Sequence, residues 1–187
     1  SGSEIFLVCR RLLGTPGRLK RLMARAWSCS VEEVVVGGQE PPRRFRHAAA
    51  WCNGAMYVHG GFERFGCSIL SDLWRFVPTE VGLDSAMLGG TWAELGGLGE
   101  AFALAEHSLV TYRGVLLVFG GRTTGSFSDD LWQVQPSPAN SAVADWCRID
   151  AAGKRPPPRS GHTAVVSRAL MLVMFGRAGR YEFLSDA

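Results

Sequence analysis

No apolar run in this sequence reaches the roughly 18 residues that a membrane span requires. No charged segment precedes an apolar core at the N-terminus, so no secretory signal peptide is expected. Cysteine is sparse and scattered (Cys9, Cys29, Cys52, Cys67 and Cys147), odd in number and without a C-x-x-C pair. That spacing offers none of the close-set ligand pairs of a zinc site. It reads as reduced thiols in an intracellular, cytoplasmic protein. Glycosylation acceptors are missing too, because Asn53 precedes Gly54-Ala55 and Asn140 precedes Ser141-Ala142. Charge of one sign is not in excess: 20 basic against 17 acidic residues leave +3, too little to argue for nucleic acid. Neither a Ser-His-Asp arrangement nor a G-x-S-x-G elbow can be read.

What the chain does have is a repeat. Its 187 residues, 47% of them hydrophobic, suit one globular domain with a real core. His47, Gly60-Gly61, Asp72-Leu73-Trp74 and Trp92 recur in order as His107, Gly120-Gly121, Asp130-Leu131-Trp132 and Trp146. The pattern begins again at His162 and Gly176. Sixty residues separate His47 from His107 and 55 separate His107 from His162, a near-constant period.

Within the central unit, 106–149, four short strands are expected. The segment His107–Tyr112 and the continuous apolar run Val115–Phe119 flank a tight turn at Arg113-Gly114, and the apolar run fits a strand buried on both faces. Asp130–Val134 gives a third strand and the stretch from Trp146 a fourth, so the fold class is an all-β meander.

These marks resemble the kelch repeat. Arg44-x-x-His47 and Arg159-x-x-His162 match the start of that pattern, whereas Leu104 stands where the central copy would carry its arginine. The glycine pair is intact at 60–61 and 120–121 and reads as Gly176-Arg177 in the third copy. The resemblance, which covers the chain from about residue 42 onward, implies blades of a β-propeller, each a four-stranded sheet packed between neighbours. In such blades glycine pairs permit positive φ and close approach, and the indoles of Trp74, Trp92, Trp132 and Trp146 fill the space between sheets.

The expected organisation is one kelch segment of about three blade equivalents. Residues 1–36 form the outer half of a blade, 46–95 and 106–149 full blades, and 161–187 the inner half of another. Val34-Val35-Val36-Gly37-Gly38 mimics a second strand and is assigned to the tail of the strand opening at Trp27. Since propellers close with four to eight blades, either a longer parent chain supplies the rest or two copies join head to tail to make six. The stretch 18–26, with Leu19, Leu22, Met23 and Ala26 on one face, is the one candidate helix.

The expected function is a non-catalytic protein-interaction module that needs no cofactor or metal. His47, His107 and His162 are equivalent positions and read as structural, while His59 is the unrepeated one, standing where Phe119 and Phe175 stand. The links after strands two and four share one face and carry Arg43, Arg44, Arg64, Phe65, Arg122, Lys154, Arg155, Arg177, Arg180 and Tyr181. Arginine and aromatics are the usual anchors of interfaces, and the resemblance implies a protein ligand on this face. Lys154–Arg159 lacks P-x-x-P spacing and reads as a connecting loop. The alternative is a fragment of a propeller enzyme, such as a galactose-oxidase-like oxidase or a sugar-acid isomerase; no Cys–Tyr–His cluster for the former is legible.

Overall fold

The computed structural model describes residues 3–11, 27–63, 68–80, 88–96, 102–136 and 143–186. Regular structure there is β, in twelve strands: β1 (Ser3–Arg11), β2 (Trp27–Gly38), β3 (Ala48–Cys52), β4 (Ala55–His59), β5 (Leu73–Glu80), β6 (Leu88–Leu95), β7 (Ser108–Tyr112), β8 (Val115–Phe119), β9 (Leu131–Gln135), β10 (Asp145–Arg148), β11 (Thr163–Ser167) and β12 (Leu170–Met174). The candidate helix at 18–26 lies outside the described residues. No helix among the described residues is long and apolar enough to cross a membrane.

The chain divides into two compact units, Ser1–Gly38 with Pro78–Thr91, and Gln39–Val77 with Trp92–Ala187. In the first, β1 pairs antiparallel with β2, from Ser3 opposite Val35 to Arg11 opposite Trp27. β2 runs unbroken from Trp27 to Gly38, so Val34–Gly38 continues the strand that Trp27 opens. Gly37 of β2 lies beside Gly90 and Thr91, the part of β6 in this unit.

The second unit carries the repeat. Strand orders are β6-β5-β4-β3, β10-β9-β8-β7 and β11-β12, each a meander of antiparallel neighbours. The inner hairpins share one register: Ala48 opposite His59, Ser108 opposite Phe119, Thr163 opposite Met174. The first two turn at Asn53-Gly54 and Arg113-Gly114 with φ positive at both residues, the primed turns whose twist matches paired strands. Successive inner strands pack face to face, β3 on β7 and β7 on β11. Between them lies a core containing Cys52, Tyr57, Leu73, Leu116, Val118 and Val134. Ring contacts extend it: Phe76 on Trp92, and Phe102 on both Trp132 and Trp146.

The glycine pairs sit where neighbouring repeats touch. The second glycine donates its N–H to the backbone of the next repeat, Gly61 to the Leu104 carbonyl at 2.8 Å and Gly121 to Arg159 at 2.7 Å. A Cβ on the first glycine would lie 2.2 Å from the Leu104 oxygen at Gly60, and 2.9 Å from the Arg159 oxygen at Gly120. A Cβ on the second would strike its own repeat's histidine, 3.0 Å from the His47 Cβ and 2.6 Å from that of His107. At Gly176 the same construction meets the His162 Cβ at 2.9 Å.

Gly176 is therefore the counterpart of Gly61 and Gly121, which corrects the register read from the sequence. The third copy reads Phe175-Gly176, not Gly176-Arg177, and Arg177 is equivalent to Phe62 and Arg122. Phe175 takes the first glycine's place at φ 61°, beside 63° and 64° at Gly60 and Gly120. His59 is matched by Phe119 and Met174, not by Phe175.

Close approach and backbone freedom separate two substitutions. Gly60→Ala adds a clash to positive-φ strain and is expected to cost about 3 kcal/mol or more. Gly54→Ala, at φ 81° with nothing within 4 Å of the added carbon, is expected to cost about 1 kcal/mol. Urea denaturation of the two variants beside the parent measures the difference.

Candidate functional site

Each repeat enters its sheet through one backbone motif. The residue before the histidine is left-handed in all three copies: Arg46 (φ 56°), Glu106 (56°) and Gly161 (63°). The Glu106 N–H donates to the Arg46 carbonyl at 3.0 Å, and Gly161 donates to Glu106 at 2.8 Å. Equivalent residues thus form a ladder along the inner edge of successive repeats.

An arginine latch precedes this ladder. Arg44 forks onto Asp72 with two bonds of 2.7 Å, and also donates to the Gly60 and Pro42 carbonyls. Arg159 repeats the set on Asp186, Phe175 and Pro157. Asp72 also accepts the Trp74 indole N–H at 2.6 Å. Burial alone would raise the Asp72 pKa, but hydrogen bonds from Arg44 and Trp74 outweigh it and hold the carboxyl below its ordinary value. The central copy has Leu104 instead, and Asp130 pairs with Arg148 on β10.

The histidines follow the same geometry. The second and third repeat histidines bond to the repeat before them: His107 Nε2 lies 3.0 Å from His59 Nδ1, and His162 Nε2 lies 2.9 Å from the Ser108 hydroxyl. His59 and His107 are buried. Burial pushes His59 and His162 down to about 4 and His107 well below 6.5. The Arg159 charge adds to the shift for His162, and for His59 Arg44 does so while Asp72 opposes it; at His107 the neighbouring imidazoles further disfavour a second proton in the group. His59 Nε2 and the Nδ1 atoms of His107 and His162 have no hydrogen-bond partner among the described residues. A protonated ring would bury unpaired charge, so these imidazoles are neutral. Among the described residues no three metal-ligating side chains cluster.

Two cavities adjoin this framework. One, of about 690 Å³, is lined by His47, His107 and His162, with Phe175 and Phe183 on one side. Its polar wall is Glu106, which pairs with Arg46 and with Arg177 (2.6 Å) and accepts from the Ser160 hydroxyl at 2.8 Å. Burial opposes ionisation of Glu106, but hydrogen bonds from Arg177 and Ser160 outweigh it and lower its pKa.

The other cavity, of about 490 Å³, lies between the loop after β8 and the loop after β12. Its lining includes Arg122, Arg177 and Arg180, with Thr124, Ser126 and Phe127, and no carboxylate among the described residues. Each guanidinium rests over a ring: Arg122 on Phe62 at 5.8 Å, Arg177 on Phe127 at 5.8 Å and Arg180 on Tyr181 at 5.4 Å. Stacking of this kind orients a cation and leaves its charge in place.

Of the ten residues expected to meet a partner, the structure brings Arg122, Arg177 and Arg180 together, with Tyr181 (80% exposed) beneath Arg180. Arg43 and Lys154 are exposed elsewhere, and Arg155 pairs with Asp150. Arg64 and Phe65 lie outside the described residues. Arg44 is a correction: its side chain is 5% exposed and committed to Asp72, so it belongs to the framework and is closed to a partner. Sequence reasoning missed Glu106 as an anchor. Its place just before a repeat histidine, aligned with Arg46, is the signal that could have found it.

Two measurements test the framework. Arg44→Met strands the Asp72 carboxylate and is expected to cost about 3–5 kcal/mol, whereas Arg155→Met removes an exposed pair and should change stability by roughly 0.5 kcal/mol or less. Lowered histidine pKa values mean that the unfolded chain binds more protons between pH 6.5 and about 4. Stability is therefore full above 6.5 and lost as pH falls toward 4, by roughly 3 kcal/mol for His59 alone. Urea midpoints at pH 7 and pH 4 read this loss, and His59→Phe, the residue of the second repeat, should shrink it.

Comparison with known proteins agrees with this geometry. The family model for the KLHDC2/KLHL20/DRC7 kelch-repeats domain matches residues 22–187. Acyl-CoA-binding domain-containing protein 4 of Arabidopsis thaliana is 26% identical over 156 residues, covering 80% of this chain and 22% of that protein. Kelch domain-containing protein 10 of Xenopus tropicalis and of Xenopus laevis is 26% identical over 166 residues, covering 80% of this chain and 36% of the relative. The chain thus spans between about a fifth and about a third of the length of these curated relatives. With the repeat, the four-stranded meanders and this match in agreement, the chain belongs to the kelch-repeat family and has its all-β, propeller-type blades.

Proposed function

We propose that this chain is a non-catalytic binding module whose loop face holds an acidic segment of a partner protein between Arg122, Arg177 and Arg180, in keeping with the protein-interaction role of kelch-repeat domains as a family. The observation that carries this reading is the convergence of three guanidiniums from two separate loops on one cavity without a lining carboxylate among the described residues. Charge-assisted bonds to guanidinium are among the stronger polar contacts, and a cavity with one sign of charge raises the local concentration of its counterpart. Phe127 and Tyr181 beside the guanidiniums supply the aromatic area that interface anchors use.

The framework supports this role. Arg44 and Arg159, with His59 and His107, are buried in the framework, whereas Arg122 and Arg180 on the loops after β8 and β12 are exposed. The Thr123 hydroxyl accepts from the Ser126 N–H at 3.0 Å and holds the first of these loops in shape.

Arg122→Ala with Arg180→Ala is the direct test, because both side chains are exposed. The double variant should keep the parent's melting temperature within a degree or two. Its affinity for glutamate- and aspartate-rich peptides, read by interferometry at low salt, should fall at least about tenfold, the equivalent of 1.4 kcal/mol. Unchanged affinity would move the site elsewhere.

A further inference from the structure

The number and arrangement of donors in the arginine cavity say more than its charge. A carboxylate presents two coplanar oxygens, and a single guanidinium fork satisfies both. Arg44 on Asp72 and Arg159 on Asp186 are two such one-to-one pairs within this chain. The cavity between the loops has three guanidiniums. Arg177 spends Nε on Ser160 and Nη2 on Glu106, and its Nη1 makes no bond among the described residues. Arg122 and Arg180 make no ion pair among the described residues and are held only by the rings beneath them. The cavity thus offers more donors, from more directions, than one carboxylate accepts.

A phosphate monoester fits that excess. It has three terminal oxygens arranged tetrahedrally and carries about −1.5 to −2 charge at neutral pH. Recognition of phosphorylated segments by arginine clusters is an established mode of binding. We infer that the cavity formed by Arg122, Arg177 and Arg180 takes a phosphorylated serine or threonine of a protein partner, so that phosphorylation of the partner switches capture on. This rests on the reading of the same cavity as a protein-binding site. A protein segment fits better than nucleic acid because the charge is gathered in one cavity and not spread along a groove, and the whole chain carries only +3.

Degenerate peptide libraries with a fixed central phosphoserine, glutamate or serine, immobilised separately, provide the test on the protein itself and on Arg122→Gln/Arg180→Gln. The expected result is at least tenfold tighter retention on phosphoserine than on glutamate, background retention on serine, and loss of the phosphoserine preference in the double variant with an unchanged thermal melt. Equal retention on phosphoserine and glutamate would overturn the phosphate inference and leave the acidic-segment reading standing. Retention on neither would overturn both. A phosphoserine preference that survives the double variant would place the phosphate elsewhere and sink the assignment. Tighter binding of a single-stranded oligonucleotide than of the phosphoserine library would overturn it in favour of nucleic acid.

Discussion

The structure of the repeating unit depends on a carbonyl docked where its neighbour has no side chain. The oxygens of Leu104 and Arg159 reach the N–H groups of Gly61 and Gly121 across the space that a Cβ at Gly60 or Gly120 would fill. Once that contact forms, the left-handed residues at 46, 106 and 161 fall into line and bond to one another. The ladder sets the distance between repeats, and everything projecting from it inherits that distance. His107 meets His59, His162 meets Ser108, and Arg177 reaches the carboxylate of Glu106 one repeat back.

Burial divides the arginines into two chemistries. Arg44 and Arg159 are almost fully enclosed, and their only tolerable state is a paired one, so each takes a carboxylate, the carbonyl of the first glycine position and a proline carbonyl in the same way. The central copy shows that the latch is replaceable. Leu104 removes the buried cation, and Asp130, one-third exposed, pairs with Arg148 at lower desolvation cost. Arg122 and Arg180, on loops, keep their charge facing solvent. His59, His107 and His162 complete the pattern by the opposite route: enclosed without enough partners for the ionised form, they stay neutral. The interior thus tolerates charge only where it is matched, and unmatched positive charge accumulates in the loops.

The constant marks were legible in the sequence because each answers to a backbone constraint. Histidine, glycine pair and Asp-Leu-Trp recur with the geometry of the sheet, and the strands of the central repeat, β7 to β10, lie where its apolar runs and turn residues place them. The register of the third copy was misread because Phe175-Gly176 looks like Phe119-Gly120. The spacing from histidine to second glycine, fourteen residues in every copy, shows that Phe175 stands in the glycine's place. Arg44 was misread for a different reason: it was grouped with its exposed neighbour Arg43, although the shared spacing of Arg44-x-x-His47 and Arg159-x-x-His162 marks it as a repeat position. Contacts between repeats, such as Arg46 and Arg177 on Glu106, were invisible, because no local pattern encodes a pairing across 60 or 71 residues.

Arg177 joins framework and loops. It follows the glycine position of its repeat, as Arg122 does, and it lines both cavities. Two of its nitrogens are fixed by Glu106 and Ser160, and its guanidinium lies over the Phe127 ring, so its position is set before any ligand arrives. Little side-chain entropy remains to be lost there on binding, the condition under which a charged contact contributes most to affinity. Arg122 and Arg180 rest on aromatic rings without ion pairs among the described residues and retain freedom to adjust. A rigid cation flanked by two adaptable ones matches an anion whose oxygens must be met from several sides.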